Sequence, residues 1–86
     1  MELYQVRLFY HPSCDHLDPS PDCIEKFFTL STSVVAAVEK VFTILEKEKP
    51  SFPSHYRTDS EQKVLPQGVT PKQALLVLQV VGLRVI

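Results

Sequence analysis

The residues best suited to chemistry crowd into one short stretch, FYHPSCDHLDPSPDC, at positions 9–23. It holds both cysteines of the chain, two of its three histidines and three of its seven prolines. Three readings fit it. In the first, Cys14 and Cys23 are a thiol–disulfide pair. Pro12, Pro19 and Pro21 fix φ and stiffen the loop, so that it can fold back and bring the two Cα atoms within the roughly 7 Å that a disulfide needs. His11 and His16 flank Cys14 and, when protonated, favour the attacking thiolate. In the second, His11, Cys14, His16 and Cys23 hold zinc: all four are zinc-type ligands within 13 residues, although their spacing lacks the paired CxxC knuckle. In the third, the stretch is a rigid loop and the cysteines are ordinary thiols. Asp15, Asp18 and Asp22 add carboxylates, but the prolines among them and the absence of glycine argue against a calcium loop.

Elsewhere the chain offers less chemistry. Ser31, Thr32 and Ser33 are nucleophile-type residues, but a Ser/Thr run before an amphipathic segment reads first as a helix cap. With only Gly68 and Gly82 there is no phosphate-cradling loop, and no cofactor is expected. Nine Lys+Arg against ten Asp+Glu give a net charge of -1. These charges are spread along the chain, without the basic patch that nucleic acid requires. No apolar run reaches the roughly 18 residues of a membrane span, and the N-terminus has no signal-type segment. The expectation is one cytoplasmic domain over residues 1–86, binding neither nucleic acid nor membrane, with thiols kept reduced by its compartment.

The elements that must position the Cys/His loop follow from periodicity. Residues 3–10 alternate and are rich in aromatic and branched residues, which predicts a strand. Ser20, Pro21 and Asp22 read as a helix start, with Ile24, Phe27 and Phe28 on one face. That reading places Cys23 in a first helical turn, whose positive end favours a thiolate. A second amphipathic pattern follows, with Val34, Val35, Val38, Val41, Phe42 and Leu45 as its apolar stripe. A single helix over 21–49 would run roughly 43 Å, too long for a compact chain about 30 Å across. A break at residues 30–33 is therefore expected. KPSFPSHYRTDSEQ, residues 49–62, reads as a loop with Pro50 and Pro53 and room for a short strand at 55–58, and DSEQKVL can start a short helix capped by Asp59 or Ser60.

The C-terminus admits two readings. Thr70, Pro71 and Gln73 form a capping-box pattern and Gly82 a C-cap, which together predict a helix. Leu75 to Val81 is also an apolar run rich in valine, and periodicity alone does not separate a buried strand from a buried helix.

A resemblance selects the strand. VRLFYHPSCDHL resembles the first strand and active-site loop of thioredoxin-like proteins: an apolar strand, an aromatic, a proline, then Cys14. YRTDSEQKVLPQGVTPKQALLVLQVVGLRVI is similar to the second half of that fold. The resemblance implies a strand at 55–59, a short helix at 60–67, and a buried strand at 74–80 paired in a hairpin with 83–86. The expected fold is thus α+β and thioredoxin-like: N-terminal strand, helical region, strand, short helix, C-terminal β-hairpin. The departures are specific. The second cysteine of a CxxC is missing after Cys14, Gln73 stands where a cis-proline belongs, and the family's terminal helix is absent.

These departures favour a non-enzymatic protein-interaction module over an oxidoreductase. A strand at 74–80 would carry apolar residues on both faces, and helices at 21–49 cover only one. A protein partner or a second copy is expected on the other face. The alternatives carried forward are a thiol–disulfide protein using Cys14 with Cys23, and a zinc loop of His11, Cys14, His16 and Cys23.

Overall fold

The structure, a computed structural model, describes residues 1–10, 23–49 and 56–86. Its elements are β1 (Glu2–Tyr10), β2 (Glu25–Ser31), α1 (Val34–Glu48), β3 (Tyr56–Gln62), α2 (Pro71–Val80) and β4 (Arg84–Val85). The strands form one mixed sheet in the order β3-β1-β2-β4. Strand β1 is antiparallel to both β2 and β3, so these two run parallel to one another on either side of it. Strand β4 joins the far edge parallel to β2. The α+β class expected from the sequence is what the chain builds.

Each face of the sheet carries one helix. Side chains alternate across a strand, and those of Val6 and Leu8 from β1 and Phe27 from β2 meet Ala37, Val41 and Leu45 of α1. All six are almost completely buried. The other face presents Leu3, Gln5 and Phe9 of β1 with Phe28 of β2, and α2 lies over its Leu3/Phe28 end.

Three expected elements are corrected. Residues 25–31 are a strand, not the first part of a helical region. Phe27 and Phe28 are adjacent, and in a strand they split to opposite faces, one under α1 and the other under α2. A sheet covered on both sides needs apolar residues on both. The i, i+3, i+4 spacing of Ile24, Phe27 and Phe28 spans too short a window to enforce a helix. The expected break at residues 30–33 marks a true boundary: Ser33 is the N-cap of α1, its side chain accepting from the Ala36 amide at 3.1 Å.

No helix forms at 60–67: β3 continues to Gln62, and residues 63–66 follow it without regular structure before a turn. Ser60 pairs with Val6 and Gln62 with Tyr4, so the ladder uses nearly the whole length of β1. Asp59 caps no helix; its carboxylate is taken by an ion pair with Arg7.

The third correction falls on the C-terminal hairpin. Residues 71–80 are helix α2, and of the expected second strand only Arg84–Val85 pairs, with β2 and not with residues 74–80. Both ends of α2 are capped. The Gln73 amide donates to Thr70 Oγ1 at 3.1 Å, and the Thr70 amide donates to Gln73 Oε1 at 3.0 Å. At the other end, Gly82 takes φ +92°, its amide donates to the Gln79 carbonyl, and the Leu83 amide donates to the Leu78 carbonyl. That pair of bonds is the Schellman arrangement, which favours glycine at the left-handed position. Two strong end signals outweigh the weak strand preference of the valines between them.

Candidate interaction site

Helix α2 is apolar nearly all round. Lys72 is its one charged residue, and Gln73 and Gln79 its only polar ones. A helix of that composition is ordinarily buried on all sides. Here none of its residues is buried. Ala74, Val77 and Leu78 line a cavity shared with Leu3 and Phe28 of the sheet, and Leu76 (56% exposed), Val77 (62%) and Val80 (85%) present apolar surface to solvent. Val81 and Leu83 extend this surface past the helix end.

Beside this ridge runs a groove. The chain leaving β3 turns at Pro66–Val69, where Gly68 takes φ +86° and the Val69 amide donates to the Pro66 carbonyl at 3.1 Å. The turn holds Leu65 and Pro66 away from α2, leaving an open cavity of about 300 Å³ floored by Leu3 and Phe28. Its walls are almost wholly aliphatic, with Lys63 at the rim, where Nζ pairs with Glu61 at 3.2 Å. Val77 belongs to both features: it lines the groove and is more than half exposed.

Beyond α2 the same sheet face turns polar. Arg7 forks onto Asp59 across the β1–β3 pair, and the guanidinium groups of Arg57 and Arg7 lie 4.4 and 5.3 Å from the centre of the Phe9 ring. The Asp59 carboxylate accepting from Arg7 raises the pKa of that guanidinium above its ordinary value. On the opposite face Arg84 ties three elements together. Its guanidinium donates to Glu48 at the end of α1 and to Glu25 of β2, the latter at 2.7 Å, and lies over the Phe27 ring at 4.8 Å. These bonds raise the Arg84 pKa further, Glu48 contributing most, and in return hold the Glu48 carboxyl below its usual range. Neither network was visible in the sequence, because partners 52 and 59 residues apart meet only through strand register.

Of the residues proposed for chemistry, His11, Cys14 and His16 lie outside the described residues. Cys23 is within them, as a free, half-buried thiol whose Sγ donates to the Glu25 carbonyl at 3.1 Å. It precedes a strand, so the helix N-terminus expected beneath it is not there. Among the described residues no group of three or more His, Cys, Asp or Glu side chains is placed to hold a metal ion. No described helix is long and apolar enough to cross a membrane.

The apolar residues of the ridge stand out in the sequence, where the run at 74–80 suggests the two faces of a buried strand; the groove, lined by residues from four separate segments, does not. The capping box at Thr70 and the glycine at 82 were the signals that locate the ridge on a helix. Compared with known proteins, the chain matches no family model, no curated protein and no solved structure.

Proposed function

We propose that this chain is a small non-enzymatic interaction module whose contact surface is the apolar face of α2 with its adjoining groove. One observation carries the reading: a helix composed for burial on all sides leaves Leu76, Val77 and Val80 more than half exposed. Contiguous apolar surface of this kind is a mark of protein contact sites. The charged side chains nearest the sheet support the same reading, since Arg7 with Asp59, and Arg84 with Glu25 and Glu48, are paired within the fold. The thioredoxin resemblance lends this surface no support, since its second half requires a strand where α2 lies.

The test is photo-crosslinking. A photoreactive residue in place of Val80 is expected to give an adduct of defined mass with a protein chain, whether a second copy or another partner. The same residue in place of Glu46, on the solvent side of α1, is expected to give none. Absence of any protein adduct from position 80 overturns the reading.

A further inference from the structure

We propose that the occupant of the α2 face is a second copy of this chain, joined in a weak two-fold dimer. The proposal rests on the reading of that face as a contact surface and names its partner. Two features of the surface select the partner, and a third sets how tightly it binds. The first is shape. A two-fold interface uses the same patch on both copies, so the patch must complement itself. This one holds a ridge and a groove side by side, with Val77 on the border between them. With Val77 near the axis, Leu76 and Val80 of each copy enter the groove of the other, and both insertions form together.

The second feature is charge. The ridge carries no ionised group, and Lys72 stands in the first turn of α2. A two-fold axis across the helix makes the two copies antiparallel, which sends the two lysines to opposite ends. A partner with charged contact residues would bury them against aliphatic walls without a counter-charge, at a cost. A second α2 brings no such charge.

The third feature is extent. Ten residues of helix span about 15 Å, and with Val64, Val69 and Leu83 at the margins the patch offers fewer residues than the roughly 20–30 a side of a standard interface. The dimer is therefore a low-affinity one that forms as concentration rises.

Sedimentation equilibrium on the full chain, from micromolar to millimolar, tests this. The wild-type mass is expected to climb from monomer toward dimer. Val80→Glu is expected to raise the dissociation constant by about 100-fold, since a carboxylate would be buried unpaired at the contact. Val35→Glu, at an exposed apolar position of α1, is expected to leave it within about 2-fold, as a surface change outside the contact should. Both positions are exposed in the monomer, and unchanged circular dichroism confirms that each variant folds. A dimer that survives Val80→Glu overturns the proposal, because another surface then makes the contact. So does a wild-type chain that stays monomeric at millimolar concentration. If that monomer still crosslinks through position 80 to a different protein, the contact-surface reading stands and only its partner changes. If it crosslinks to nothing, or takes up a fatty acid in the groove instead, both fail.

Discussion

Arg7 and Asp59 meet across β1 and β3 as fork to fork, Nε donating to Oδ1 at 2.8 Å and Nη2 to Oδ2 at 2.7 Å. The two are register partners in the antiparallel ladder, so their side chains leave the sheet on the same face. Bidentate geometry makes this pair stronger than an ordinary surface ion pair, but both side chains are about two-fifths exposed and solvent screens them. Asp59→Asn is expected to lower the melting temperature slightly at low ionic strength. In high salt the difference from wild type should shrink. A salt-independent loss would mean that Asp59 acts through packing and not through charge.

The two helices should respond very differently to truncation. Leu45 and Val41 are buried in the layer between α1 and the sheet. Leu45→Ala is expected to cost about 2–5 kcal/mol, through lost transfer energy and the cavity left behind. Val80→Ala removes two methyl groups that the monomer barely buries, and should change monomer stability by no more than about 0.5 kcal/mol. Urea denaturation at low concentration, where association is negligible, measures both. Equal losses at the two sites would contradict the placement of α2 on the outside.

The caps of α2 give a further pair of tests. Thr70→Ala removes the acceptor for the Gln73 amide and is expected to cost about 1 kcal/mol. Gly82→Ala places a Cβ at φ +92°, where nothing within 4 Å would clash, so the cost is backbone strain alone, about 1–2 kcal/mol. Amide exchange should speed up across residues 74–81 in both variants. Exchange in β1 should change far less.

These caps also show how much the sequence disclosed. The strand at the N-terminus and the boundary before residue 34 followed from alternation and from the Ser/Thr cluster at 31–33, while the α+β class came with the resemblance to thioredoxin-like proteins. Most of the α1 stripe was legible too, with Val38, Val41, Phe42 and Leu45 facing or flanking the core. Val34 and Val35 proved exposed, and Ala37 carries the burial instead. Residues 25–31 misled because a seven-residue window with two adjacent phenylalanines satisfies either period, and only the presence of a helix on each face of the sheet decides. At the C-terminus the caps point to the helix that forms, and the family pattern points to a strand. Local chemistry at Thr70 and Gly82 was the better guide than a resemblance made mostly of hydrophobic runs. The strand pattern misplaces the interaction face too, since it assigns those residues to a buried strand.

Cys23 offers a direct check on the thiol reading. Its Sγ is half-buried and donates to the Glu25 carbonyl, and it has no helix N-terminus beneath it. In a Cys14→Ser chain, where Cys23 is the one thiol, alkylation of the folded protein is expected to run about tenfold slower than in urea, access being the limit. Equal rates in the folded and unfolded chain would show an accessible thiol, as a resolving cysteine must be, and would revive the redox reading.

Acid should loosen the join between α1 and β4. Glu48, the last residue of α1, accepts from Arg84, and that bond holds its carboxyl below the ordinary carboxylate range against a smaller opposing effect of desolvation. A carboxyl whose pKa is lower in the folded than in the unfolded chain adds stability above the unfolded value, and that contribution is lost as pH falls through the folded one. Glu48→Gln is therefore expected to melt below wild type at neutral pH, with the gap closing as pH drops through the carboxylate range and beneath it. The raised pKa of Arg84 lies far above any working pH, so this cluster should add no alkaline limb. Melting curves of both chains at stepped pH read the gap directly. A gap that stays constant into strong acid would show that Glu48 contributes through packing at the helix end, and that Arg84 holds β4 by its bond to Glu25 and its contact with Phe27 alone.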